Sequence, residues 1–311
     1  MEKKFDEYWY SKDNSKLMNI LKIDSDLSYL FQYMREKNKA NVRVYHYNEG
    51  IESDTIFIVP SADINNHHSS SLRKQLNNIP VIFVESNGID FNYAHSCNIG
   101  IEKALELGYK WVVICNDDVV FHKEPSSLIG ILSESEPNAV FTPTNGANET
   151  DRYHGEEFTI FKSNFALKGL SLYNSKWSFA GNRTSWEYVS LYLKNFPQIS
   201  RHLRYNLAVN NTANTFAKLA RAVTPKMVNF ADFGIFPSSL LKGLHFDETF
   251  WNGTEDYELS MRIYKEGLDV KKINFPIESV GSASLGQSVR KKIIGLFNSL
   301  YLSKLISQCD S

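Results

Sequence analysis

The chain has 311 residues, of which 42% are hydrophobic, and its 34 Lys and Arg nearly balance its 35 Asp and Glu, giving a net charge of −1. This length and apolar content allow one large domain or two small ones with a sizeable core. The balanced charge argues against a protein that binds nucleic-acid backbones, which normally carries a basic surplus, so we expect no nucleic-acid partner.

The cysteines and the N-terminal residues indicate the cellular compartment to expect. Cys97, Cys115 and Cys309 are far apart and lack metal-ligand spacing, which favours a reduced, cytoplasmic setting. The first residues, MEKKFDEYWY, carry charges without an apolar segment behind them, so we expect no signal peptide. No apolar run is long enough to span a bilayer.

The predicted elements change character near residue 55. Residues 1 to about 50 are polar and helix-leaning, with LSYLFQYMREKNK as the clearest amphipathic piece. Three buried strands and two helices then alternate, namely TIFIVPS, SLRKQLNN, VIFVESNG, FNYAHSCNIGIEKALELG and WVVIC. This alternation predicts an α/β fold with a mostly parallel central sheet flanked by helices, in which ligands bind beyond the carboxyl ends of the strands.

The middle of the chain, roughly 122–230, is less regular. AVFTPTNG reads as a strand, and helical stretches are predicted around YVSLYLKNF (188–196) and LAVNNTANTFAKLARAV (207–223).

Acidic residues follow the third predicted strand. Asn116, Asp117 and Asp118 come directly after WVVIC, and Ser61 and Glu85 lie at the ends of the other two strands. Because an unpaired buried carboxylate is costly, we expect these groups at a cleft edge. Carboxylate oxygens suit Mg²⁺ or Mn²⁺, which bind through one or two carboxylates plus substrate phosphates. A solvated turn or a cap for the next helix is the alternative.

A second acidic pair begins a predicted helix in GTEDYELSMRIYKEG, residues 253–267. Glu255 and Asp256 lie in its first turn, where the helix dipole favours acids, and this dipole role is one interpretation. Asp256 also shares a helix face with Leu259 and Ile263, so it is predicted to point inward. An inward carboxylate beside a cleft can take a proton from a bound hydroxyl.

Four segments together resemble a family 2-type inverting glycosyltransferase with the GT-A fold, close to its rhamnosyltransferase-like members, over residues 55 to about 286. VPSAD and VESNG are similar to the family's first two strand ends. FNYAHSCNIGIEKALELGYKWVVICNDDVVF is similar to the run from its N-x-G helix into its DxD strand. FGIFPSSLLKGLHFDETFWNGTEDYELSMRIYKEG is similar to the stretch with the "FDE…ED…R…G" pattern. The order and spacing of all four segments carry the resemblance.

For the metal site, the resemblance implies that Asp118 is the DxD aspartate and that Asn116 occupies the first position of that motif. Asp117 fills the variable position and is expected to face the ribose or sugar. The implied cofactor is Mn²⁺ or Mg²⁺, bound with the diphosphate of the donor.

For the nucleotide, the resemblance implies a nucleoside pocket lined by Pro60 and Ser61. Glu85 falls where relatives use an Asp to recognise the base, and Asn98 of the N-x-G helix is assigned to the nucleotide site. The sequence departs from the family at Cys97, where several relatives carry an Arg.

For catalysis, the resemblance implies that Asp256 is the base, that Glu255 touches the acceptor or positions Asp256, and that Arg262 is a structural ion-pair partner. The implied reaction moves a sugar from a nucleotide-diphosphate donor to a hydroxyl of a glycan or lipid-linked glycan, with inversion. Phe250 and Trp251 are candidates for stacking on the acceptor sugar, and the alternative is that they are core aromatics.

The expected domain organisation has three parts: a helical extension (1–50), a catalytic domain with a nucleotide half (51–121) and an acceptor half (122–286), and an amphipathic helix (287–311). The last part, SVRKKIIGLFNSLYLSKLI, is basic and amphipathic. Residues 288–306 are predicted to make a peripheral contact at the inner face of a membrane, or else to pack on the catalytic domain or form a homodimer contact.

Two other functions remain open. A sugar-nucleotide nucleotidyltransferase also uses acids at a sheet edge with Mg²⁺, but it usually needs a Gly-rich loop with Lys or Arg near the first strand, which VPSADINN lacks. The other is a non-catalytic nucleotide- or sugar-binding module. A dinucleotide-binding dehydrogenase is disfavoured because no G-x-G-x-x-G follows the first strand.

Overall fold

The computed structural model describes residues 2–24, 26–145, 157–162, 205–209, 222–228, 230, 232–279 and 289–309. The helices are α1 (Glu2–Trp9), α2 (Asn14–Ile23), α3 (Ser28–Glu36), α4 (His67–Gln75), α5 (Tyr93–Glu106), α6 (Pro125–Ser133), α7 (Ser238–Leu241), α8 (Glu255–Lys265) and α9 (Val289–Cys309). The strands are β1 (Arg43–Tyr47), β2 (Thr55–Ser61), β3 (Val81–Glu85), β4 (Trp111–Cys115), β5 (Val119–Phe121), β6 (Ala139–Asn145), β7 (Glu157–Lys162), β8 (Tyr205–Val209), β9 (Ala222–Val228), β10 (Phe233–Pro237) and β11 (Asp269–Ser279).

The central feature is an eight-stranded mixed sheet with the order β1-β3-β2-β4-β10-β6-β11-β5. β2 pairs in parallel with β3 and β4, and β11 pairs in parallel with β6. The other neighbours are antiparallel, including β10 with both β4 and β6. The prediction of a mostly parallel sheet is therefore confirmed for β2, β3 and β4, whereas the sheet as a whole is mixed.

The predicted alternation after residue 55 is confirmed, because all three strands and both helices form there. Two other predictions are wrong. Arg43–Tyr47, inside the region expected to be helical, is an edge strand whose β-branched and aromatic residues suit pairing with β3. The helix predicted at 207–223 is wrong at its two ends, because residues 207–209 belong to β8 and residues 222–223 belong to β9, which both pair with β7 in a three-stranded sheet; residues 210–221 lie outside the described residues. The helix predicted at 188–196 lies outside the described residues.

Helix α5 covers one face of the central sheet. Its residues Ala94, Cys97, Ile101 and Ala104 are fully buried against strands β2, β3 and β4. Gly100 lies on the same face, and a Cβ added there would be 2.4 Å from Ile58 Cγ2. The missing side chain at residue 100 therefore lets the helix approach the sheet closely.

The N-terminal and C-terminal helices form a second core together. Helices α1–α3 and α9 bury their apolar residues in one cluster, in which Trp9 lies close to Phe297, with ring centroids 6.3 Å apart. Ile293, Leu296 and Leu300 of α9 are nearly inaccessible to solvent in this cluster. The alternative in which α9 packs on the rest of the chain is what the structure shows, and membrane contact through 288–306 stays a prediction.

Among the described helices, none is both long enough and apolar enough to cross a bilayer.

Substituting Gly100 with Ala should destabilise the protein by about 1–3 kcal/mol, the usual cost of overpacking a core. The added methyl group would meet Ile58 Cγ2 at 2.4 Å and Val84 Cγ2 at 3.2 Å. Both neighbours are β-branched and have little rotamer freedom with which to move away. Urea denaturation of the wild type and the variant measures the difference.

Gly130→Ala is the matched control, because Gly130 lies inside α6 and an added Cβ would meet nothing within 4 Å. This variant should be more stable than the wild type, by about 0.5–1 kcal/mol, since Ala is the better helix former. Equal stability of the two variants would contradict the packing described for α5.

Candidate active site

The candidate site lies at the edge of the central sheet where β2, β3 and β4 end. Strand β10 is antiparallel to β4, with Phe233 opposite Cys115, so β10 starts where β4 stops. The backbone N–H of Asn116 donates to the carbonyl oxygen of Asp232 at 3.0 Å, and its Nδ2 donates to Asp232 Oδ1 at 2.7 Å. Pairing of β10 thus brings a further carboxylate to the Asn116-Asp117-Asp118 turn.

Asp118 is the carboxylate least satisfied at this edge. It is 7% exposed, and its Oδ1 is buried without a hydrogen-bond partner. Burial, together with the negative charges of Asp232 and Asp117, raises the pKa of Asp118 to about 6, while a backbone hydrogen bond and His68 act in the opposite direction. A buried carboxylate oxygen with acidic neighbours is an arrangement that a bound cation would stabilise.

Asp117 has a different environment from its neighbour. Its Oδ2 accepts hydrogen bonds from Ser61 Oγ at 2.7 Å, Ser69 Oγ at 2.8 Å and Asn66 Nδ2 at 3.0 Å. These bonds join the ends of β2 and β4 to the start of α4. Asp117 and Ser61, both predicted to contact the nucleotide, are thus hydrogen-bonded to each other, and their contact with a nucleotide stays a prediction.

The other three residues predicted to bind the nucleotide differ in their burial and hydrogen bonding. Pro60 is buried within β2, and Glu85 is partly exposed at the end of β3. Asn98 donates through Nδ2 to Phe246 O at 2.9 Å and to Glu248 Oε1 at 3.0 Å, and its Oδ1 accepts from Phe246 N at 2.9 Å. Because both of its donor hydrogens are used, Asn98 holds the segment before α8 against α5.

The second acidic pair lies at the start of α8, and the prediction that Asp256 points inward is confirmed. Asp256 is 7% exposed, and its Oδ2 accepts from Phe230 N at 3.1 Å. Burial, together with the charge of Glu255, raises the pKa of Asp256 to about 8. Glu255 is also buried, and its Oε2 accepts from Gly253 N at 2.6 Å. Asp256 can therefore take up a proton near neutral pH.

The turn before α8 has an unusual backbone. Asn252, Gly253 and Thr254 have φ values of 55°, 149° and 81°. Positive φ is uncommon for residues other than glycine and persists where surrounding contacts enforce it. The side chain of Asn252 supplies two such contacts, accepting from Tyr93 N at 2.8 Å and donating to Phe91 O at 2.9 Å.

Helix α9 holds the other side of this turn through Asn298, which is fully buried. Its Oδ1 accepts from Trp251 N at 3.0 Å, and its Nδ2 donates to Trp251 O at 3.1 Å and to Gly253 O at 2.7 Å. The C-terminal helix is thus bonded directly to the turn that presents Glu255 and Asp256.

Phe250 and Trp251 do not form an acceptor platform. They are 0% and 2% exposed, and Trp251 Nε1 donates to Met34 O at 2.9 Å. The Trp251 ring packs edge-on against Trp9, with centroids 5.4 Å apart. The stacking prediction is wrong because both rings belong to the helical core, which was the alternative.

Arg262 has the role expected for it. Its Nε and Nη2 donate to the two carboxylate oxygens of Glu258 at 2.7 and 2.8 Å, and Nη2 also donates to His245 O at 2.5 Å. The prediction of a structural ion-pair partner is confirmed.

The segment between β9 and β10 links the two acidic groups. Val228 N donates to Ser260 Oγ on α8 at 2.9 Å, Phe230 N donates to Asp256, and Asp232 is bonded to Asn116. This short segment is therefore hydrogen-bonded to α8 through Val228 and Phe230 and to the Asn116-Asp117-Asp118 turn through Asp232.

Tyr93 is the first residue of α5. Burial raises its pKa, and Cys97, Glu255 and Asp232 act in the same direction.

In the part of the chain that the structure describes, no group of three or more His, Cys, Asp or Glu side chains is arranged to hold a metal ion. A cation bound at Asp118 would therefore need oxygen ligands from a substrate or from water in addition to those of the protein.

Four contributing residues escaped the sequence analysis: Asp232, Tyr93, Asn252 and Asn298. A signal existed for Asp232, since an acid directly precedes the apolar run FGIFP in FADFGIFP. The two asparagines have no local signal, because their partners are distant in sequence.

Comparison with known proteins gives distant matches. No protein-family model and no curated protein matches the chain. Protein A197 from STIV is 19% identical over 33% of this chain and 51% of its own length, so the match spans about half of that protein, with a TM-score of 0.25.

Two further solved structures are similar over more of the chain. A protein from Bacillus anthracis described as a glucose-1-phosphate thymidylyltransferase, solved with sucrose, is 7% identical over 78% of this chain and 94% of its own, with a TM-score of 0.33. The substrate-binding protein of an ABC transporter from Agrobacterium tumefaciens is 12% identical over 85% and 99%, with a TM-score of 0.21. At these TM-scores the matches define neither a family nor an activity for this chain.

Replacing Asp256 with Asn should stabilise the protein increasingly as pH rises. The folded-state pKa of about 8 lies above the ordinary value of 3.8, so the folded state binds the proton more tightly. The free energy of unfolding of the wild type therefore falls as pH rises from about 4 to 8. Asn is neutral throughout, so at pH 9 its Tm should exceed that of the wild type by at least about 2 °C.

Melting curves at pH 5 and pH 9 measure this difference, which should be small at pH 5. Asp269→Asn, which changes an exposed acid of β11, is the control and should behave alike at both pH values. A Tm difference for Asp256→Asn that did not change with pH would show that this carboxyl has an ordinary pKa.

Proposed function

We propose that the protein is a glycosyltransferase with a GT-A-type arrangement, which moves a sugar from a nucleotide-diphosphate donor to an acceptor hydroxyl. The observation that carries this proposal is that one segment of the chain bonds to both acidic regions. Its Phe230 N–H donates to Asp256, which is buried and has a raised pKa, and its Asp232 accepts from Asn116, two residues before Asp118. A proton acceptor beside a cation-binding edge is what direct sugar transfer requires.

In the proposed reaction, the acceptor oxygen attacks the anomeric carbon of the donor sugar. The hydroxyl proton passes to the Asp256 carboxylate, and the bond from the anomeric carbon to the diphosphate oxygen breaks, leaving its electron pair on the nucleoside diphosphate. One direct attack inverts the anomeric configuration. A carboxylate with a pKa near 8 is a much stronger base than an ordinary aspartate, which suits proton transfer near neutral pH.

The surroundings of Asp256 prepare it for this role. The Phe230 N–H fixes Oδ2, and the charge of Glu255 raises the proton affinity of the carboxylate. Glu255 is itself bonded to Gly253 N, so its part in the proposal is to position and tune Asp256.

The residues at the sheet edge fit a divalent cation. Asp118 keeps a buried oxygen without a hydrogen-bond partner, and Mg²⁺ or Mn²⁺ is commonly bound by one or two carboxylates together with substrate phosphates. Such a site does not need three protein ligands, in line with their absence from the described residues. Bound there, the ion would supply positive charge against the departing diphosphate.

Product analysis distinguishes this function from its alternatives. Incubation with nucleotide sugars and Mn²⁺ should release the nucleoside diphosphate, whereas a nucleotidyltransferase would release pyrophosphate from a nucleoside triphosphate and a sugar 1-phosphate. A thermal-shift screen of UDP, GDP, dTDP and CMP, with and without Mn²⁺, selects the nucleotide to test. Nucleotide binding without either product would instead indicate a non-catalytic module.

Asp256→Asn should lower transfer turnover by at least about 100-fold, because a positioned general base contributes about 10²–10⁴-fold. Affinity for the selected nucleoside diphosphate, measured by calorimetry, should stay within about twofold, since the side chain acts on the acceptor. Asp269→Asn should keep full turnover. Wild-type turnover in Asp256→Asn would rule out this residue as the base.

A further inference from the structure

The position of Asp232 is set by strand pairing. It directly precedes β10, and the ladder that places Phe233 opposite Cys115 brings Asp232 opposite Asn116. Both its carbonyl oxygen and its Oδ1 accept from Asn116, at 3.0 and 2.7 Å. The carboxylate is therefore held at the same sheet edge as Asp118.

A second observation at this edge indicates a ligand. Asp118 is more than nine-tenths buried, and its Oδ1 has no hydrogen-bond partner, whereas buried polar atoms are nearly always paired. Asp232 cannot supply the missing partner when both groups are ionised, because like charges repel. Two carboxylates at the same sheet edge, one of which has a buried oxygen without a hydrogen-bond partner, form an arrangement suited to a hard divalent cation.

We propose that Asp232 is a second carboxylate ligand of a divalent cation bound at Asp118. This inference rests on the proposed function and adds a ligand to its cation site. Asn116 orients Asp232 through the bond to Oδ1, and the Asp232 carboxylate is the candidate ligand group. The remaining coordination positions are filled by phosphate oxygens and water, in keeping with the reluctance of Mg²⁺ to shed its waters.

The assignment couples the cation to the base. The backbone N–H of Phe230 holds Asp256 Oδ2, and Asp232 lies two residues further along the chain. The proposed cation ligand Asp232 and the N–H group that orients Asp256 therefore lie two positions apart in the chain.

Titration of Mn²⁺ into the full chain, followed by the electron paramagnetic resonance signal of free Mn²⁺, tests the proposal. Inorganic pyrophosphate serves as the phosphate probe and should tighten Mn²⁺ binding to the wild type. Asp118→Asn and Asp232→Asn should each weaken Mn²⁺ binding by at least about 10-fold, since each removes one charged ligand. Glu124→Gln, which changes an exposed acid before α6, should stay within about twofold.

The variants at residue 232 separate a ligand from a structural role. Asn at this position can still accept the bond from Asn116 Nδ2, so Asp232→Asn removes charge while keeping that contact. Asp232→Glu restores the charge and should recover part of the Mn²⁺ affinity. Melting curves check that each variant is folded.

Wild-type Mn²⁺ affinity in folded Asp232→Asn would overturn the inference, and loss of affinity in Asp118→Asn alone would leave the proposed function standing. Equal loss in both variants without any sugar transfer would support the inference while the proposed function fails. If Asp232→Asn fails to fold, Asp232→Glu takes its place: Mn²⁺ affinity between that of Asp118→Asn and that of the wild type supports the ligand role, and full wild-type affinity argues against it.

Discussion

The two hydrogen bonds between Asn116 and Asp232 are the contact on which the candidate site depends. They join the end of β4 to the start of β10, and they exist because β10 runs antiparallel to β4. Without this reversal the amino end of β10 would lie at the opposite edge of the sheet. Phe230, two residues before Asp232, donates its backbone N–H to Asp256. The direction of β10 therefore determines that one segment of the chain contacts both acidic groups.

The candidate site contains buried carboxyl groups whose ionised forms would be more stable in water. Asp118, Glu255 and Asp256 are buried carboxyl groups with raised pKa values, and each costs folding free energy when ionised. Positive φ at Asn252 and Thr254 adds backbone strain beside them. Such features persist when surrounding contacts over-determine the conformation, and here helices on two sides supply those contacts.

The terminal helices are part of this support. Helices α1–α3 and α9 share one core, and Asn298 of α9 is bonded to Trp251 and Gly253 in the turn before α8. Trp251 in turn donates to the backbone of α3 at Met34. The apolar residues of α9 that would suit a membrane surface are thereby used to hold the acidic pair in place.

Much of the fold was accessible from local patterns. The strands around Ile58, Phe83 and Val113 and the helix after Asn92 follow from apolar runs, helical spacing and caps, and all of them form. Other features had no local signature. The bonds of the Asn98 side chain to Phe246 and Glu248 are an example, because they follow only from the folded chain.

The sequence by itself determined that acids stand at a strand end and at a helix start, and that Asp256 faces inward, because periodicity within one element decides which side is buried. Tertiary structure decided the direction of β10, the arrival of Asp232 and the burial of Trp251. These outcomes depend on partners far apart along the chain: the Asn116–Asp232 bond spans 116 positions and the Trp251–Met34 bond spans 217. An apolar run such as FGIFP favours a strand in either direction, so its orientation is decided by the neighbours with which it pairs.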